Sequence, residues 1–126
     1  MKMVRATRKF LSRVKVSSQY DRDLLHDMEW SLNIEPAHTL VALVSNKVVG
    51  AITYARWAEE KRLNLQHILV SDAHRHKGYG RAMVERIHRK GCELRLYDPR
   101  RSAIPFYKKI GFRYVPNGHY VLKPTK

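Results

Sequence analysis

Between His67 and Arg81 the chain changes its apolar period, and that change limits what it can fold into. Ile68, Leu69 and Val70 are apolar and β-favouring, which predicts a strand. From Arg81 to Lys90, Met83, Val84 and Ile87 recur at helical intervals before Gly91 stops the run, which predicts a helix. Between them stands Arg75-x-x-Gly78-x-Gly80. Glycines just ahead of a helix let an anion approach first-turn N–H groups that have no partner within the helix, and the helix dipole adds attraction. The segment Arg75, His76, Lys77, Gly78, Tyr79, Gly80, Arg81 therefore reads as a phosphate cradle. It is neither of two common cradles: a dinucleotide fingerprint needs a third glycine where Met83 stands, and a P-loop needs Gly-Lys-Ser/Thr where Gly80-Arg81-Ala82 stands.

The remaining elements surround this unit. Met1 to Thr7 suits an edge strand. Ser17 or Ser18 caps a helix with Leu24, Leu25, Met28 and Leu32 on one stripe, ending before Pro36. Thr39–Ser45 and Val48–Trp57 are β-branched runs joined at Asn46-Lys47, a hairpin; a turn over Glu59 to Arg62 leads to a third strand ending at Val70. After the helix come a strand over Cys92–Tyr97, a helix over Ser102–Lys109 and two closing strands. The expected fold is α/β, a single domain over 1–126 with a mixed, mostly antiparallel sheet flanked by helices. That length builds a core without disulfides or metal. Cys92, the one cysteine, is expected to be a buried small hydrophobe, and the lack of any disulfide framework points to a cytoplasmic setting. No run approaches the ~20 apolar residues of a membrane span. His74-x-His76 lacks the further ligands of a zinc set, so no metal is expected.

The glycine loop resembles the Arg/Gln-x-x-Gly-x-Gly/Ala motif of the GNAT superfamily of acetyl-CoA-dependent N-acetyltransferases. Downstream, Ala103-Ile-Pro-Phe-Tyr-Lys-Lys-Ile-Gly-Phe112 is similar to that family's second signature, in the right order and at a typical distance. The resemblance covers most of the chain and is weakest over residues 1–35. It implies a GNAT-like fold and transfer of an acetyl group from acetyl-CoA to a primary amine of a small molecule, a protein or an aminoacyl-tRNA. It further implies that the strand at Ile68, Leu69 and Val70 offers backbone bonds to the pantetheine arm and acetyl carbonyl, that residues 75–81 hold the pyrophosphate, and that Tyr107 protonates the departing thiolate. Two family positions differ. Asn64 stands where many members carry a glutamate base, and Arg100 replaces an asparagine three residues before Ala103; Arg100 is expected at coenzyme A. His67 has the right intrinsic pKa for a base, but strand alternation is expected to turn it to the face opposite Asn64.

Charge adds a second expectation. The net charge is +14: residues 1–60 carry nine Lys/Arg against seven Asp/Glu, and residues 61–126 carry sixteen against four. Positive charge gathers in the half that holds the cradle, where it would capture an anionic donor. The surplus fits either a polyanionic partner, RNA in the form of tRNA or the ribosome, or a solvated basic surface that gives solubility. A protein that keeps the fold for nucleic-acid or ribosome binding with weak catalysis is the alternative. Acids gather instead at Asp21, Asp23, Asp27 and Glu29; the resemblance places them beside the acceptor cleft, where they would favour a cationic amine.

Overall fold

The computed structural model describes residues 1–56, 61–88 and 91–124. Each β-branched run becomes a strand: β1 Lys2–Arg5, β2 Ala37–Val44, β3 Lys47–Arg56, β4 Arg62–Val70, β5 Glu93–Tyr97, β6 Arg113–Val115 and β7 His119–Leu122. The helices are α1 Arg8–Leu11, α2 Gln19–Trp30, α3 Tyr79–His88 and α4 Ile104–Ile110. One mixed sheet runs β1-β2-β3-β4-β5-β7-β6, with β4 and β5 parallel and the other neighbours antiparallel. This is the expected α/β architecture, with β1 at an edge. Trp57, Glu59 and the expected helix end at Arg89-Lys90 lie outside the described residues.

Local chemistry explains most boundaries. Ser18 caps α2, its Oγ accepting from the Asp21 N–H at 3.1 Å. The β2–β3 turn is made by Ser45 and Asn46, both at positive φ (50° and 65°), which matches the twist of an antiparallel pair; the turn residues sit one position earlier than the sequence pattern predicts. α3 starts at Tyr79, two residues before the expected Arg81, because the last loop glycine enters its first turn. Residues Arg101–Ala103 form a 3-10 turn, after which α4 carries Pro105 in its first turn and ends at Gly111 in the left-handed region.

Apolar side chains divide between the two sheet faces. Ile52, Leu63, Leu65, Leu94 and Leu96 pack with Met83 and Val84 of α3 and Tyr107 of α4. Val41, Ala51 and Leu69 pack on the opposite face with Leu11 of α1 and Met28 of α2. Cys92 is buried in the first cluster.

One irregularity in β4 changes a sequence expectation. Thr53 faces His67 and Tyr54 faces Leu65, so Gln66 is an extra residue, a β-bulge. Across the bulge, Ala51, Thr53 and Ala55, on one face of β3, meet Leu69, His67 and Asn64. Simple alternation would part His67 from Asn64; the inserted residue resets the parity and returns both to the face covered by α2.

Candidate active site

The bulge also marks where the sheet opens. β4 and β5 pair only from Arg62↔Glu93 to Leu65↔Leu96; beyond that β4 continues to Val70 while β5 ends at Tyr97. Strands that part leave main-chain groups on their facing edges available to a ligand. The gap opens into a cavity of about 1100 Å³ lined by β4 from Gln66 to Val70, the loop into α3, the end of β5 with Arg100, one side of α4, and α2. Tyr107 and His67 are both on its wall, as are Ile68, Leu69, Arg75, His76, Tyr79 and Arg81.

One wall is mostly backbone. His76 (φ 63°) and Gly78 (φ 85°) turn the chain through the left-handed region, and α3 follows at once. The first intrahelical bond here is Ala82 N–H to Gly78 O at 3.0 Å, so the N–H groups of Tyr79, Gly80 and Arg81 belong to the unpaired first turn. A Cβ built on Gly78 would meet nothing within 4 Å, so the loop has open space beside it. Gly80 differs: a Cβ there would lie 3.1 Å from the Phe106 ring, so this glycine lets α3 approach α4. Phe106 is half-buried, packing against the core while it lines the cavity. Lys77 is exposed, whereas Arg81 pairs with Glu85 at 2.7 Å on the surface of α3.

Arg75 is engaged with protein groups. Its Nε donates to Val70 O at 3.2 Å, and its Nη2 donates to Asp21 Oδ2 at 2.7 Å and lies 3.1 Å from Asp72 Oδ1. Asp21 is 3% exposed. Burial pushes its pKa up, but the bonds from Arg75 and Ser18 outweigh this and hold it below the ordinary carboxylate value. Arg100 also lines the cavity and converges on the carboxylate that Arg75 bonds: its guanidinium stacks 4.1 Å over the Tyr20 ring and approaches Asp21 Oδ1 at 3.9 Å.

The other wall carries side chains. Tyr107 is 6% exposed, flanked edge-on by Phe106 and Phe112, and burial, reinforced by Tyr20 and opposed by Arg100, pushes its pKa up to about 12. It is a protonated donor at any physiological pH. His67 is half-buried; burial pulls its pKa below 6.5, against the smaller opposing pull of Asp27. It is therefore neutral at pH 7, with a lone pair able to take a proton. Asn64 Oδ1, on the same sheet face, is buried without a hydrogen-bond partner among the described residues. Tyr20, Leu24 and Asp27 of α2 complete this wall. The acidic composition of α2 signals that wall, but which acids reach the cavity depends on tertiary packing.

A family model described as an acetyltransferase (GNAT) domain matches residues 35–114. The chain belongs to the GNAT acetyltransferase family. Among solved structures, it is similar to a GNAT-family protein from Desulfovibrio desulfuricans, with a TM-score of 0.74 at 18% identity, covering 97% of this chain and 98% of that one. An aminoglycoside 6'-N-acetyltransferase complexed with coenzyme A gives 0.72 at 14% identity, covering 100% and 98%. The ribosomal-protein-S18-alanine N-acetyltransferase from Escherichia coli gives 0.69 at 14% identity, covering 99% and 94%. Identities this low show a shared GNAT fold. A search of curated protein sequences finds no match. Among the described residues, no helix is long and apolar enough to cross a membrane.

Proposed function

We propose that this GNAT protein transfers the acetyl group of acetyl-CoA to a primary amine inside the cavity between β4 and β5. The observation that carries this reading is the convergence of the glycine loop, the unpaired end of β4 and the Tyr107 hydroxyl side on one cavity. The residues fit an anionic thioester donor: Gly78 leaves open space at the loop, and first-turn N–H groups follow it. His76 to Arg81 would hold the pyrophosphate through main-chain N–H groups, with Lys77 adding charge. Ile68, Leu69 and Val70 would offer main-chain bonds to the arm and the acetyl carbonyl. When bound, acetyl-CoA supplies an activated acyl group and a thiolate leaving group.

The chain's own residues do the proton work. The amine must be neutral to attack, and His67, neutral at pH 7, accepts its proton. Tyr107, protonated up to about pH 12, donates its O–H proton to the departing sulfur. Arg100, stacked on Tyr20, lines the same cavity, where its guanidinium would reach coenzyme A.

The charge asymmetry favours an acceptor presented on RNA, an aminoacyl-tRNA, whose ester-linked amine is less basic than a lysine amine and asks less of the base. The competing reading, a nucleic-acid or ribosome binding protein with weak catalysis, rests on the same surplus. Thiol release from acetyl-CoA, followed across a panel of small amines, peptides and charged tRNA, tests both. Turnover with any amine supports the enzyme; absence of acetyl-CoA binding and turnover, with retained RNA, would leave the binding protein.

A further inference from the structure

The family resemblance places Arg75 at the phosphate cradle, and its guanidinium is held there by protein groups: Val70 O, Asp21 and Asp72. We infer that Arg75 is a positioning residue that locks the N-terminal end of α2, one wall of the cavity, to the end of β4 and the loop that form the other.

Two acceptors and a second carboxylate meet the fork, and they come from three places. Val70 O is the last residue of β4, Asp72 opens the turn into the loop, and Asp21 lies in the first turn of α2. A planar guanidinium can reach several such acceptors at once where an ammonium would reach fewer. Asp21 is buried and ionised, so its negative charge needs this partner. The same junction is stitched by further bonds along both chains. Lys15 N–H donates to Ser71 Oγ at 3.0 Å, Asp72 N–H donates to Lys15 O at 2.9 Å, and Asp72 Oδ2 accepts from both N–H and Oγ of Ser17 at 2.9 and 2.6 Å. Residues 15–21 and 70–75 are thus zipped together, with Arg75–Asp21 the charged link.

The consequence concerns geometry between substrates. Tyr20, Leu24 and Asp27 on α2 face the acceptor side, while the loop faces the donor side. A lock between the two sets the distance between an attacking amine and the acyl carbon, and misplacement by about 1 Å costs on the order of a hundredfold in rate. Lock and phosphate ligand are opposed assignments for one side chain. They predict different losses.

The functional half of this inference rests on the acetyl-transfer reading; the structural half does not, and the test separates them. Wild type, Arg75→Gln, Arg75→Lys and Asp21→Asn are compared by amide hydrogen exchange with and without coenzyme A, and by calorimetry with coenzyme A. The lock predicts that Arg75→Gln and Asp21→Asn each speed exchange over residues 19–24 by roughly tenfold or more. Both should leave coenzyme A affinity unchanged, and Arg75→Lys should recover part of the protection. In turnover, with the best amine of the panel, kcat should fall while the acetyl-CoA KM holds. The double variant should lose less than the sum of the two single ones, because both remove the Arg75–Asp21 link. Two results overturn the inference: unchanged exchange in α2 on losing Arg75, or coenzyme A affinity falling about tenfold in Arg75→Gln but not in Asp21→Asn, a loss typical of a charge-assisted bond to phosphate. If wild type binds no coenzyme A, the acetyl-transfer reading fails, and exchange alone still decides the lock.

Discussion

The two walls of the cavity are made of different material. The wall proposed for the donor is main chain: β4 carbonyls and N–H groups, a loop at positive φ, and the first turn of α3. The wall proposed for the acceptor is side chains: Tyr20, Leu24 and Asp27 from α2, His67 from β4, Tyr107 from α4. A main-chain site constrains sequence through the few residues that permit its backbone path, so it leaves glycines at fixed spacing. A side-chain site can be rebuilt by changing one rotamer or one residue without touching the fold. One GNAT scaffold can therefore keep its donor while changing its acceptor, and the two walls should fail differently when altered.

The largest difference is expected at Gly78. Gly78→Glu should abolish acetyl-CoA binding, because a carboxylate beside the first-turn N–H groups competes with and repels pyrophosphate. Gly78→Ala separates charge from backbone strain: nothing lies within 4 Å of the added Cβ, and the left-handed φ costs roughly 1–2 kcal/mol of stability. Calorimetry checks the first and thermal unfolding the second. Binding by the glutamate variant at wild-type affinity would remove the loop from the site.

That asymmetry also explains what could be read from sequence. The cradle, the hairpin and the order of strands and helices follow from local signals, namely β-branched runs, helical spacing at Met83, Val84 and Ile87, and glycines with a stated geometric need. The bulge at Gln66 has no such signal, since it is a mismatch between two strands and is visible only once Thr53 faces His67 and Tyr54 faces Leu65. So the sequence wrongly separates His67 from Asn64. Asp21 was equally hidden: among Asp21, Asp23 and Asp27 nothing local marks the one that is buried, because its partner Arg75 is 54 residues away. Gly80 was legible as a glycine of the motif but not as a packing residue under Phe106.

On the acceptor wall, Tyr107→Phe should slow turnover by roughly ten- to ten-thousand-fold, the range for loss of a general acid. Acetyl-CoA affinity should hold, since the ring and its packing on Phe112 remain. Because the Tyr107 pKa is pushed up to about 12, wild-type activity should show no alkaline limb from this group below about pH 11. A normal rate in the phenylalanine variant would leave Tyr107 with only its place in the core.

His67 should give a smaller, pH-dependent effect. Its folded pKa is depressed, so it is neutral at pH 7 and kcat/KM should fall on the acid side with a midpoint below 6.5. The sign for stability is the same: charging a buried imidazole costs more folded than unfolded, so stability declines as pH drops through about 6.5 toward the folded value. His67→Asn should remove the acid limb, lower the neutral-pH rate and flatten the stability profile. An acid limb unchanged in the variant would assign the proton transfer elsewhere.

The smallest expected effect lies outside both walls, on the surface. Coenzyme A needs only a few cations, yet residues 61–126 carry sixteen Lys/Arg against four Asp/Glu. Lys108 and Arg113 are exposed on and after α4, and Arg8, Lys9 and Arg13 are exposed on and after α1. α2, with Asp23 and Asp27 exposed, interrupts this field on the acceptor side. Such a distribution orients a polyanion without reading its sequence. Filter binding should therefore show weak retention of tRNA and of unrelated RNA alike, with log affinity falling linearly as log salt rises because cations leave the phosphates on binding. Lys108→Glu with Arg113→Glu should shallow that slope more than Arg8→Glu with Lys9→Glu if the RNA lies across the basic half, and calorimetry with acetyl-CoA should not distinguish the two pairs. No retention at low salt would leave the surplus charge to donor capture alone, and the preference for an RNA-borne amine would fall with it.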